Sequence, residues 1–431
     1  MVSLSRWLSL GVLAAAACGK VASDTPDAAM STPPDAPPGP TAITLTNQLY
    51  GGGPVNTGLV AYQDGDGAWQ AVPGNAGVYS LSVSQPRYTL LIACERLTGT
   101  PIVYVQLYHY AVSDGTSLTA SEECASSATQ ANVAITGTVT NLPMGDSVQV
   151  ADGISTYGGA VTTWNMPAQA GPGTLLAVHR AAASSRPIGL VLQKPTFADG
   201  QSFAIDINTQ VLPSESSLTI DPTATSPFVS TTYIDEHGTN FSIESSSTAL
   251  PTYRVVPADR VGDGLSLVSL SSSANSTYRQ MRRYFKTPTA QTLTLPAAFL
   301  PAAPTVASTT PYAMPAMSLP VQGYARYYYV SYSSSMAAGA ASAYRFWTMY
   351  YSAAWLGGAA TVEATAPDLT AIPGWGAAWG LFPTNRSWYA AAYGGPLASQ
   401  PLVTGPDSRG RQPGLWKDGD AVPSSSTSGS F

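Results

Sequence analysis

The sequence predicts an all-β protein: tandem immunoglobulin-like or transthyretin-like β-sandwich domains behind a disordered Pro-rich stalk. Three observations carry that expectation. Only 10% of the 431 residues are charged, while Gly (39), Pro (35) and Tyr (23) are abundant, and helical Lys/Glu/Leu periodicity is missing. Asp-Gly pairs recur at 64–65, 66–67, 114–115, 152–153, 199–200, 263–264 and 418–419, and Asp-Gly is among the strongest short hairpin signals. Finally, three stretches look alike: TLLIACERLTGTPIVYVQL (89–107), TLLAVHRAAASSRPIGLVLQ (174–193) and TYRVVPADRVGDGLSLVSL (252–270). Each reads as a β-run, a polar turn and a second β-run, a hairpin pattern.

At the N-terminus, Arg6 precedes an apolar run, WLSLGVLAAAA (7–17), that leads directly into Cys18. The run suits a signal h-region and is too short to span a bilayer. Small residues before a cysteine resemble a bacterial lipobox, so residues 1–17 read as a lipoprotein signal peptide and Cys18 as the acylated residue. The expected Leu three positions before the cysteine is Ala15 here; the rival reading is an ordinary signal peptide cut at the Ala run. Either way the chain is expected outside the cytoplasm. Gly19 is not the Asp of inner-membrane retention, which favours the outer membrane or cell surface.

Residues 18–41 read as the stalk. They hold Pro26, Pro33, Pro34, Pro37, Pro38 and Pro40 with little to bury, and such a segment cannot offset its ordering entropy. Fully extended, it reaches roughly 70 Å. With Cys18 set aside, Cys94 and Cys124 remain as an even pair in an oxidising compartment, the pattern of a disulfide.

The repeats divide the rest. The spacing of about 75–85 residues suits small sandwich modules rather than propeller blades of about 40–50. The expected domains are 42–130, 131–212, 213–303 and an aromatic-rich β domain at 304–403, followed by a flexible tail at 404–431. In the first domain GLVAYQDGDGAWQAV (58–72) reads as strand, tight loop, strand. DGTSLTA (114–120) and DGQSFAIDI (199–207) follow the first two repeats at the same distance, and AQTLTLPAAF (290–299) is their counterpart after an insertion. In the fourth domain YYYVSYSSSMAAGAASAYRFWTMYYS (327–352) reads as a longer hairpin.

GLVAYQDGDGAWQAV, GTVTNLPMGDSVQV (137–150) and TLTLPAAFLPAAPTV (292–306) resemble stretches of uncharacterised bacterial extracytoplasmic lipoproteins built of repeated β-sandwich modules. The likeness runs over most of residues 42–390. What it implies is the fold; it brings no activity, catalytic residue or ligand.

Candidate chemistry is sparse. The chain has three histidines, and no P-loop, nucleophile elbow or dinucleotide-binding glycine pattern is present. His109 and His179 read as strand-face residues. Asp235, Glu236 and His237 in YIDEHGTNF are the one local group with a base, an acid and a ligand, against the plainer reading of a hairpin tip. Asp64 and Asp66 lack the closing ligands of a calcium loop. The basic group YRQMRRYFK (278–286) reads as a charged edge strand, with Arg279, Met281 and Arg283 on one face and Arg282 on the other. The net charge of −6 and the absence of a basic face argue against nucleic acid. No metal, cofactor or catalytic residue is expected.

The last domain concentrates Trp347, Trp355, Trp375, Trp379 and Trp388 beside many tyrosines. Such residues either fill a sandwich core or form a platform for sugar rings; as a platform, Trp375, Trp379, Trp388 and Tyr389 would line it, with Asn385 and Arg386 bonding hydroxyls. The expected function is therefore binding or scaffolding at the cell envelope, without catalysis. The partners are a membrane, through the lipid at Cys18, and a glycan or an envelope protein. The alternatives are a carbohydrate-binding protein using the aromatic domain, and a secreted hydrolase using Asp235, Glu236 and His237.

Overall fold

The computed structural model describes residues 39–48, 53–96, 99–121, 124, 132–153, 155–160, 162–182, 184, 186–338, 341–395 and 416–431. The segment expected to be a signal peptide, Cys18 and nearly all of the expected stalk lie outside them. The body from Pro40 to Phe431 is one compact unit, and the regular structure of its described residues is almost entirely β.

Its first module holds β1 (Thr41–Gln48), β2 (Leu59–Asp64), β3 (Trp69–Ala71), β4 (Val78–Val83), β5 (Arg87–Arg96), β6 (Ile102–Ala111) and β7 (Ser117–Ser121). The second holds β8 (Asn132–Thr140), β9 (Ser147–Ala151), β10 (Thr156–Gly159), β11 (Thr163–Gln169), β12 (Gly171–Pro172), β13 (Leu175–Arg180), β14 (Pro187–Gln193), β15 (Thr196–Phe197) and β16 (Ser202–Asp206). The third runs through β17 (Ser214–Ile220), β18 (Phe228–Ile234), β19 (Asn240–Ser246), β20 (Thr252–Val255), the one-turn helix α1 (Ala258–Val261), β21 (Leu265–Ala274), β22 (Thr277–Phe285) and β23 (Gln291–Leu293). The fourth comprises β24 (Thr305–Ser308), β25 (Met314–Pro320), β26 (Tyr327–Ala338), β27 (Ala341–Ser352), α2 (Ala353–Leu356), β28 (Thr361–Thr365), β29 (Arg386–Tyr393) and β30 (Ala421–Ser430).

The first three modules share one topology. A small sheet is ordered β4-β1-β7, β11-β8-β16 or β20-β17-β23, and a larger one β3-β2-β5-β6, β10-β9-β13-β14 or β19-β18-β21-β22. In each small sheet the first strand pairs antiparallel on one side and parallel with the module's last strand on the other. Alternation drives this packing: β1 and β4 bury every second residue, so Ile43, Leu45, Leu81 and Val83 face Val60, Leu90 and Ile92 of the larger sheet.

The modules do not follow one another as beads. The larger sheets of the first and third modules join strands of the fourth in one twelve-stranded sheet, ordered β19-β18-β21-β22-β30-β29-β26-β27-β6-β5-β2-β3. β27 runs parallel to β6, and β30 lies antiparallel to both β22 and β29.

Three expectations are corrected here. The flexible tail ends in an inner strand: β30 fills the slot between β22 and β29, and Ser425 is fully buried. The basic segment is therefore not an edge strand, because β30 occupies the side left open. The third repeat is not a hairpin either, since β20 belongs to the small sheet and β21 to the long one, with α1 carrying the chain across. The hairpin equivalent to β5–β6 and β13–β14 is β21–β22.

Candidate functional site

Strand parity sorts the aromatic residues of the fourth module into two populations. On β26, Tyr328 and Tyr332 point into the core, with Trp347 and Tyr351 of β27 and Trp388 of β29. These pack on Met317 and Leu319 of β25 and Val362 and Ala364 of β28, so the core reading of the tryptophans holds for most of them. Trp379 is 8% exposed and Trp388 7%. Trp347 donates its indole N–H to the Trp379 carbonyl (2.9 Å), and Trp379 donates to Glu95 (3.2 Å). Trp375 is half-buried, edge-on to Trp347 and Trp379. The Arg386 guanidinium lies 4.7 Å from the Phe431 ring centroid. Trp375, Trp379 and Trp388 thus form no exposed strip.

Tyr389 differs, because it is one residue out of phase with Trp388. It shares the opposite face of the long sheet with Tyr327, Tyr329, Tyr350 and Tyr393, all half-buried. Tyr327 stacks on Tyr393 with centroids 4.8 Å apart. Tyr329 meets Tyr350 and Tyr389 edge-on at 5.0 and 5.7 Å, and Tyr350 stacks on Tyr108 at 4.7 Å. Further along, Tyr104 stacks on Phe346 at 5.5 Å. The Tyr389 and Tyr393 hydroxyls hydrogen-bond at 3.2 Å. Ser331, Ser333 and Ser387 stand in the same rows.

The two faces differ in cover. The small sheets of the third and fourth modules pack on the tryptophan side, and that of the first on the other side over β2, β5 and β6. Among the described residues no second sheet lies over the tyrosine side of β22, β30, β29 and β26. Burial holds Tyr327 and Tyr393 above the usual phenol range, and the Arg282 charge beside Tyr327 pulls the other way.

The remaining candidates have structural work. Asp235 is buried at the β18–β19 turn, where its carboxylate accepts from the His237 and Thr239 amides (3.0 and 2.8 Å) and from Thr174 (2.8 Å). Glu236 pairs with Lys194 at 2.5 Å, and His237 lies 3.9 Å from it on the solvent side. Burial works against the Lys194 ammonium, but hydrogen bonds to Glu236 and Tyr233 prevail and raise its pKa. This group pins the second module to the third. Asp64 accepts from the Ser84 amide and hydroxyl (2.9 and 2.6 Å) and the Gln85 amide (2.9 Å); burial opposes its ionisation, and these bonds still hold its carboxyl below the ordinary value. Among the described residues no group of three or more His, Cys, Asp and Glu side chains is placed to hold a metal. Cys94 and Cys124 form a disulfide.

One feature escaped the sequence reading. Trp416, two residues before the last Asp-Gly, stacks on Tyr284 (4.7 Å, 18° between planes) and walls a groove over β18, β21 and β22. The groove holds about 390 Å3, and a second space of about 270 Å3 adjoins it, sharing Ile234, Gly238 and Trp416. An isolated tryptophan in a Gly/Asp-rich stretch has no periodicity to announce it.

No protein-family model matches the sequence, and no curated protein matches it. Among solved structures, the Bacillus anthracis TIE protein is similar over 59% of this chain and 50% of its own, at 9% identity and a TM-score of 0.15. This chain thus spans half the length of that structure, and at that TM-score the likeness bears on neither fold nor function.

Proposed function

We propose that this chain is an exported, non-catalytic lipoprotein of the cell envelope, anchored through Cys18, that binds a glycan along the tyrosine side of its long sheet. The observation that carries the reading is the set Tyr327, Tyr329, Tyr350, Tyr389 and Tyr393, presented together on inner strands beside serine hydroxyls. A tyrosine ring offers an apolar face to the C–H surface of a sugar and a hydroxyl to its polar rim. Inner strands hold these rings in fixed register, so little ordering is left to oppose binding. The sheet that links three modules supports the scaffolding part of the reading, because it presents this face on a body with few joints.

Calorimetric titration of the body with neutral and acidic polysaccharides tests it. Saturable binding that Tyr329→Ala and Tyr389→Ala each weaken about tenfold, with unchanged melting, is the expected result. Binding indifferent to both substitutions, or no binding across the panel, overturns it. Labelling with a radioactive fatty acid in the native host, lost in Cys18→Ser, tests the anchor separately.

A further inference from the structure

The groove beside Trp416 has a chemical character that the tyrosine rows lack. Its floor is the outer side of the third module, where Ser230, Ser269, Gln280 and Arg282 stand in neighbouring rows. The Ser230 and Ser269 hydroxyls are 2.8 Å apart. Trp416 lies on Tyr284 and lines the space on both of its sides. At about 390 Å3 the space falls within the ~300–1,000 Å3 usual for small-ligand sites.

Arg282 is the distinctive group. It stands on the same face of β22 as Tyr284, two residues away, and its charge acts on the Tyr284 and Tyr327 phenols, both of which burial keeps protonated. Neither phenol offsets its charge. Asp420 also acts on Tyr284, but it accepts the Lys417 amide at 2.8 Å. The ion pairs of the described residues do not include Arg282. A half-buried guanidinium with no carboxylate partner among the described residues, beside a flat indole and a pair of hydroxyls, matches a ring that carries its own carboxylate.

We propose that this groove binds an acidic glycan, with a sugar carboxylate on Arg282 and the next, neutral sugar against Trp416. The proposal rests on the glycan reading above and narrows it to a substrate class. The space beyond Trp416 sets the alternation. Glu236, Asp263 and Asp418 line it, with Lys286 and Lys417; Lys194 already pairs with Glu236, and Lys286 lies 3.9 Å from Asp263. A second sugar carboxylate there meets acidic groups, so a chain of alternating acidic and neutral sugars fits better than a uniform polyuronate.

Three probes test this on the whole body: a hyaluronan tetrasaccharide, the same tetrasaccharide with its carboxyls reduced to alcohols, and an oligogalacturonate tetramer. The native tetrasaccharide is expected to bind at least tenfold tighter than its reduced form. The oligogalacturonate should fall between them. Arg282→Gln, which removes the charge and keeps a polar side chain of similar reach, should erase the gap between native and reduced forms, and Trp416→Ala should weaken both. Equal binding of the native and reduced forms overturns the proposal without any variant and leaves the tyrosine reading standing, as does a gap that survives Arg282→Gln. A preference for oligogalacturonate overturns the alternation. Silence toward all three probes, with neutral polysaccharides still bound through Tyr329 and Tyr389, overturns this proposal alone; silence toward every glycan overturns both.

Discussion

His109 of β6 stacks face to face on Tyr351 of β27, with ring centroids 4.2 Å apart and planes 2° from parallel. The contact bridges the parallel seam between the first and fourth modules. Thr89 hydrogen-bonds Nδ1 at 2.9 Å, and Nε2 is buried without a partner among the described residues. Trp355 tilts over the imidazole at 5.0 Å, and Arg87 lies 5.3 Å from the same indole. Burial pushes the His109 pKa down to about 3, so the imidazole is neutral in the folded protein.

A pH dependence follows. Below the ordinary histidine value of about 6.5, the unfolded chain takes up a proton that the folded chain refuses. Stability from this residue is complete above pH 6.5 and falls as pH drops toward 3, by about 1.4 kcal/mol per unit. Urea unfolding at pH 7, 6 and 5 should show the decline, and His109→Gln should flatten it. An equal slope in the variant would remove His109 as the cause.

Deleting residues 421–431 should do far more than trim an end. β30 pairs with Thr277 to Arg283 on one side and Ser387 to Tyr393 on the other, and the Phe299 amide donates to Ser425 at 3.0 Å. Without the strand, β22 and β29 each expose an unpaired edge, and the third module loses the sheet hydrogen bonds that join it to the fourth. The truncated chain is expected to unfold in two transitions instead of one and to aggregate. A single transition at an unchanged midpoint would contradict the inner position of the strand.

Why that strand was illegible is physical. AVPSSSTSGS carries almost no apolar alternation, and its burial comes from neighbours: strands on both sides and large tyrosines in the adjacent rows. Hydrophobic periodicity reports what a strand buries, not what buries it. The opposite case was written in the open. LLIA (90–93) and LLAV (175–178) are unbroken apolar runs, and β5 and β13 are buried on both faces. In β5, Leu90 and Ile92 face the first module's core, while Leu91 and Ala93 face the fourth's. Such runs signal cover on two sides, and the docking of modules was readable there. The aromatic cluster was legible as a cluster, but one residue of phase separates Trp388 in the core from Tyr389 outside, and phase needs the strand ends.

Reducing the Cys94–Cys124 disulfide should destabilise the first module. The two residues are 30 apart in sequence, and a loop of that size corresponds to about 3–4 kcal/mol in the chain-entropy account. Cys94 sits in β5, which shares both cores, so the loss should pass to the seam with the fourth module. A thermal scan with and without reductant measures it. Coincident midpoints would mean that the sheet pairings alone restrain this loop.

The junction between the second and third modules offers the sharpest substitution. Glu244 is buried, and Arg186 meets it with two guanidinium nitrogens, one of them at 3.3 Å from Oε2. Arg186 also donates to Thr252 (3.0 Å), and Arg254 links Glu215 (2.9 Å) to the Pro187 carbonyl (2.8 Å). The hydrogen bond to Glu244 raises the Arg186 pKa, with burial opposing. Leu176 and Val178 of β13 pack beside it against Phe241 and Ile243. Removing one partner of a buried pair leaves the other weakly compensated, here by the half-exposed Glu215 at 3.4 Å, so Glu244→Gln should cost about 3 kcal/mol, while replacing exposed Asp259 should cost nothing measurable. Gly153→Ala probes the same junction sterically: at φ +86° an added Cβ would stand 1.8 Å from the Thr239 methyl across the interface. Both variants should open the junction, read as faster amide exchange at Leu176 to Arg180 and Asn240 to Ser246, with the first module unaffected. Exchange that rises uniformly over the whole body would mean that the second module unfolds with the long sheet, not from it.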